Sequence, residues 1–242
     1  MAMDWNTVLA TLTGSLSGAG VVVLVDCAVK HHLNKIRNFR EAISIQLALH
    51  QMLLVSLQMR KFCDDCMQSR IGFYKKLMRD ANPNDLWARF RYIDLPEYMY
   101  TFAITNLDWN FTQFLSKNEG APRDTVRSLI TAKLGFESLI TILDKRNRLL
   151  GEVHSIVYRI SKSDGEGAVY TNDNLAHSIG EPTNSRLISL TNEYVDKIIK
   201  VIEDCYKGFD ALSRYINHKY CHYSPLKLDI RPDLNEILQK FV

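Results

Sequence analysis

The sequence predicts an all-α protein: a single N-terminal transmembrane helix leading into an antiparallel, up-down four-helix bundle. Three observations carry this. Residues 5–25 hold no charged side chain, with Asp4 and Asp26 bounding them. From residue 21 to residue 82 the only Gly or Pro is Gly72, so little in that stretch weakens a helix. Beyond it, apolar residues recur every three or four positions in long runs separated by Pro and Gly, the period of an amphipathic helix rather than of a strand. Composition agrees. With 242 residues, 46% hydrophobic and a net charge of +3, the chain is too apolar and too weakly charged for general disorder. Five cysteines are too few, and odd in number, for a disulfide scaffold.

The first element is the uncharged stretch. Its 21 residues make about 31 Å of helix, close to the thickness of a bilayer's hydrocarbon. Trp5 stands where an interfacial aromatic would. No Lys or Arg precedes the stretch, whereas Lys30, His31, His32, Lys35, Arg37 and Arg40 follow it within eleven residues. The positive-inside rule then puts the N-terminus outside and residues 30–242 in the cytoplasm of a single-pass cell-membrane protein. Residues 1–29 are the anchor and 30–242 the helical bundle. A cleaved signal peptide would want a positively charged start, which residues 1–6 do not supply.

Within the anchor, Ala10, Gly14 and Gly18 recur every four residues. Such a small-residue face lets two membrane helices approach closely, so self-association through Ala10, Gly14 and Gly18 is expected. The basic residues Lys30, Lys35, Arg37 and Arg40 are expected to contact anionic lipid, at about 1 kcal/mol each.

The second element is one long helix from about residue 28 to 79, continuous with the anchor. Its stripe is Ile43, Leu47, His50, Leu54 and Leu57, and residues 80–83 (Asp-Ala-Asn-Pro) end it. A short helix and turn fill 84–95. A second bundle helix follows Pro96 and stops at residues 118–120 (Asn-Glu-Gly). A third runs from Pro122 to about 162, with Val126, Leu129, Ile130, Leu134, Ile140, Leu143, Leu150, Val157 and Ile160 as its stripe. Residues 163–184 read as the one flexible loop. The fourth helix spans about 185–222, its face made by Leu187, Leu190, Tyr194, Ile198, Val201, Cys205, Leu212 and Tyr215. A short helix over 233–241 closes the chain. Short links between long amphipathic helices give alternating directions.

Catalytic and cofactor signatures are missing: no Walker A, no GxGxxG, no HExxH, no GxSxG and no EF-hand loop. No cofactor is expected. Cys63 and Cys66 form a CxxC, but the residues between them are Asp64 and Asp65, which disfavour a thiolate. Cys221 and His222 would complete a zinc site. In the alternating bundle, however, they stand roughly 30 Å from Cys63 along the axis, so no metal is expected. The run Lys145, Arg146, Asn147, Arg148 reads as a solvated helix face. The aromatic group Trp87, Phe90, Tyr92, Tyr98, Tyr100 and Phe102 reads as a cap on the core.

Arg148 and His154 form an Arg-x5-His pair on the third helix. With the helical content, this pair resembles the HEPN class of helical-bundle ribonucleases, whose Arg-x4–6-His motif faces an RNA phosphate at a dimer interface. The resemblance implies His154 as general base and Arg148 as the cation stabilising the transition state.

The function expected from these features is a membrane-anchored interaction, scaffold or sensor protein without enzymatic activity. Its partners would be the bilayer and a second copy through the N-terminal helix, with nucleic acid disfavoured. One alternative is a membrane-perturbing effector of a toxin or phage-defence system, suggested by the weakly hydrophobic, small-residue helix. The other is the HEPN-like ribonuclease using Arg148 and His154.

Overall fold

The structure, a computed structural model, describes residues 5–77, 92, 95, 121–164 and 177–222, with side chains described for 21–66, 92, 95, 121–159 and 177–222. It is all-α, and the described residues include no strand. Three long helices dominate: α1 (Trp5–Leu77), α2 (Arg123–Asp164) and α3 (Glu181–Lys219). Apart from residues 92 and 95, the predicted elements over 84–95, 96–118 and 233–241 lie outside the described residues.

Helix α1 is unbroken across the predicted anchor and the first bundle helix. This continuity follows from the absence of Pro and from the single Gly between residues 21 and 77. Pro122 precedes α2, and its carbonyl accepts the first helical bond, from the Val126 amide at 3.1 Å. Helix α3 begins earlier than expected, inside the predicted loop, and residues 177–179 form a further helical turn before it. Gly180 makes the junction with φ at 89°, a conformation that only glycine adopts cheaply. Pro182 then fits the first turn, where no intrahelical N–H is needed.

Helix α3 packs against both α1 and α2. Gln46 Nε2 donates to Ser213 Oγ at 2.9 Å, while the Phe39 and Tyr220 rings lie 5.4 Å apart. Numbers rising along α1 therefore meet numbers falling along α3, and the two are antiparallel. Helices α2 and α3 are antiparallel too: Ala132 lies by Gly208, Gly135 by Val201, and Arg146 by Thr191. Thus α1 and α2 run the same way, as first and third helices of an up-down bundle must.

The main core joins Ala42, Ile45, Leu49 and Leu53 of α1 to Leu129, Phe136 and Leu139 of α2 and Ile198, Val201 and Leu212 of α3. A second, smaller cluster of Leu150, Val153, Ile179 and Leu187 lies toward the end of α2 and the start of α3. Ser56, Thr191 and Ser213, on or beside the core face, donate their hydroxyls to carbonyls one turn back, at 2.7–2.8 Å.

The predicted face of α3 is largely the buried one; that of α1 is not. Leu47 and Leu54 are 41% and 44% exposed, and the core instead takes Ala42, Ile45, Leu49, Met52 and Ser56. Apolar residues surround α1 on nearly every side here, so periodicity alone selects no single face. On α2, Leu134 is likewise outside.

Candidate functional site

The stretch Val21–Cys66 of α1 is long and apolar enough to cross a membrane, and it is the one such stretch among the described residues. Half of the apolar 18-residue segment within it is buried inside the bundle, as in a core helix of any domain. Composition thus does not separate lipid from core; exposure does. Residues 21–35 are exposed on every face, and burial begins at Ala42. Five consecutive aliphatic residues, 21–25, stand in the open, with Val22 at 68% and Leu24 at 70% exposure. Val29 and Leu33 continue the apolar surface. A helix that is apolar all round and touches no core is not stabilised by water.

The predicted small-residue positions Ala10, Gly14 and Gly18 belong to this continuous helix, their side chains outside the described residues. Spaced by four, they drift only about 40° per step and stay on one side of α1. Asp26 ends the uncharged stretch, and Lys30 reaches back to it at 2.6 Å. That ion pair at (i, i+4) offsets the carboxylate's charge.

Of the predicted lipid-contacting residues, Lys30, Lys35, Arg37 and Arg40 are all exposed. Arg37 Nε also donates to Glu41 Oε1 at 3.2 Å. The fold adds cations that sequence order hides. The antiparallel packing brings the last turn of α3, with His218 and Lys219, and the adjacent His222 level with residues 37–41 of α1. Lys219 Nζ donates to Tyr215 Oη at 2.6 Å and lies 5.2 Å from that ring's centre. Partial burial holds its pKa below the ordinary lysine value. The start of α2 comes to the same end, with exposed Arg123 and Arg127 flanking a groove floored by Val126 and Ile130. The signal that could have found this ring was available: basic residues at the start of one predicted helix and at the end of another, in a bundle of known parity.

The other candidates come apart. Arg148 is 77% exposed and clamped by Asp144, Nη2 to Oδ2 at 2.9 Å and Nε to Oδ1 at 3.1 Å. His154, also exposed, is six residues on, which turns the helix by about 600° and leaves the two about 120° apart around α2. The fold therefore does not aim the pair at one phosphate. Cys63 is buried, and burial together with Asp64 pushes its thiol up to about 12. That is the reverse of what an attacking thiolate needs. Cys221 lies level with the neck of α1 near residue 38, so about 25 residues, or roughly 37 Å, separate it from Cys63 along the axis. Among the described residues, no three His, Cys, Asp or Glu side chains are grouped to hold a metal ion.

Arg146 corrects the solvated-face reading of its run. It is fully buried between helices, its Nε donating to Thr191 Oγ1 at 3.0 Å. Its neighbour Asn147 donates Nδ2 to the Leu95 carbonyl at 2.9 Å, and Tyr92 donates to Asn184 Oδ1 at 2.9 Å. Tyr92 thus caps the smaller core cluster as expected; the rest of the aromatic group lies outside the described residues. No protein-family model, no curated protein and no solved structure matches this chain.

Proposed function

We propose that this protein is a single-pass, membrane-anchored helical bundle that works by interaction, as a scaffold or sensor, rather than by catalysis. The observation that carries the proposal is the exposure of residues 21–25 on every face of α1, followed at once by basic residues. Left in water, five such aliphatic side chains cost on the order of 1 kcal/mol or more apiece relative to burial. A lipid bilayer removes that cost for the whole circumference. The basic residues beyond Asp26 orient the bundle toward the cytoplasm, and Ala10, Gly14 and Gly18 supply the face on which two copies associate.

The test is alkaline carbonate extraction of the full chain beside a chain beginning at Lys30. The full chain stays with the membrane pellet, and the shorter one is soluble and folded. If the full chain is released while the shorter one aggregates, residues 5–29 belong to a core and the anchor is wrong. Self-association is read separately. Gly14→Ile with Gly18→Ile abolishes the dimer signal in a membrane reporter, and an unchanged signal removes that face.

A further inference from the structure

We infer that the membrane-proximal end of the bundle is a second, electrostatic attachment: a ring of cations from all three helices that binds the anionic headgroups of the membrane holding α1. This rests on the anchor proposed above and deepens it. Over residues 26–42, 121–130 and 210–222 there are eight Lys/Arg and four Asp/Glu, a net of +4, against +3 for the whole chain. The rest of the chain sums to −1. Three of the four acids are already engaged: Asp26 with Lys30, Glu41 with Arg37, and Asp210 with Arg214. Those pairs leave Lys35, Arg40, Arg123, Arg127 and Lys219, against the exposed Asp124, to set the local potential, with His218 and His222 beside them.

Insertion topology accounts for the cations on α1 alone. The positive-inside effect is counted within about 15–20 residues of a span. Arg123 and Lys219 follow residue 25 by roughly 100 and 190 residues, so they take no part in it. They reach this end because α2 starts here and α3 finishes here. Anchoring leaves one large anionic body permanently opposite that end, the cytoplasmic leaflet, whose potential attracts such clusters.

The distances decide how the ring engages. Arg40 stands about 22 Å along α1 beyond Val25, whereas a headgroup layer is roughly 5–8 Å deep. A gap of that size exceeds the screening length of about 8 Å at physiological salt. The neck allows a closer approach. Asp26 is neutralised by Lys30, and Val29 and Leu33 are apolar and exposed, so the helix can settle one turn deeper, with Val29 at the hydrocarbon edge. The ring then stands about 16 Å out, and extended Lys and Arg side chains bridge most of what the headgroups leave. Docking on anionic lipid therefore accompanies a deeper seat of α1.

The full chain tests this. A donor dye is placed on the exposed Cys221, with Cys27→Ser and Cys66→Ser removing the other accessible thiols. The chain is reconstituted into phosphatidylcholine vesicles, with or without about a third phosphatidylserine, each carrying a trace of acceptor-headgroup lipid. Energy transfer is expected to rise at least about twofold with phosphatidylserine and to fall back in about 0.5 M salt. Arg40→Gln, Arg123→Gln and Arg127→Gln together, all exposed sites, reduce the rise to the neutral-lipid level. Equal transfer in the two lipids, with the chain still floating with the vesicles, overturns the ring and leaves the anchor standing. A rise that the triple variant keeps also overturns it. A chain that fails to float with either vesicle defeats the anchor and the ring together. A single-stranded RNA that gives a salt-sensitive gel shift, while phosphatidylserine changes nothing, assigns the ring to nucleic acid instead.

Discussion

Arg146 shows at the scale of one residue what charge-run reading misses. Its position, four after Ile142 and four before Leu150, lies on the apolar stripe of α2, so burial was legible by spacing even though the residue type argued for water. Buried guanidinium is costly unless its donors are bonded, and the bond to Thr191 ties α2 to α3. Arg146→Ala empties a large core site and is expected to destabilise by about 3 kcal/mol or more in urea unfolding. Arg146→Met, which keeps most of the volume, costs less. The cysteines give a second outcome. Burial pushes Cys63 and Cys205 up from 9.0 to about 12, whereas Cys221 is exposed. In native protein, Cys221 reacts with a thiol reagent at once, and Cys63 and Cys205 react only as the bundle opens. The same two thiols make stability fall with alkali. Below pH 9 they are neutral folded or unfolded; above it the unfolded chain ionises and the folded one does not until about 12. Tyr215, raised by burial from 10.0 to about 12, adds the same sign. The urea midpoint is lower near about pH 11 than at pH 8, and Cys63→Ala with Cys205→Ala flattens the difference.

At the scale of the element, helix existence and order were legible because Pro122, Pro182 and the near-absence of Gly from residues 21–77 punctuate the chain. Helix faces were less so. The stripe of α3 is flanked by Glu, Asp and Lys, which single it out; α1 offers Ile43, Leu47 and Leu54 as readily as Ile45, Leu49 and Leu53. What decides between them is the partner surface, and Gly208 is where that surface closes. A methyl there would lie 3.4 Å from Ala132 Cβ and from the Ser128 carbonyl, and 3.6 Å from Leu49. All three helices approach through this one missing side chain. Gly208→Val is expected to overpack the seam and cost about 1–3 kcal/mol, measured by urea midpoint. Gly151 is the counter-case: helical, exposed, and with nothing within 4 Å of an added methyl. Gly151→Ala is expected to stabilise by about 1 kcal/mol through helix propensity alone.

At the scale of the molecule, the two parts of α1 differ in what surrounds them. From Ala42 onward α1 is part of a core, whose side chains are covered by α2 and α3. From residue 35 back to 21 every described side chain is exposed, and no core cluster includes any of them. The described residues 21–29 therefore add nothing to the bundle's core. In a mild detergent, the full chain and a chain beginning at Lys30 should unfold with the same midpoint, within about 0.5 kcal/mol, the scatter expected of changes at surface sites. The outcome discriminates because the alternative is large. If residues 5–25 packed into the bundle by a route beyond the described side chains, their loss would strip several apolar residues at about 1.5–3 kcal/mol each, enough to unfold a domain of ordinary stability. An unchanged midpoint together with loss of membrane retention would separate the two roles of α1, with the anchor depending on lipid and the bundle on its own core.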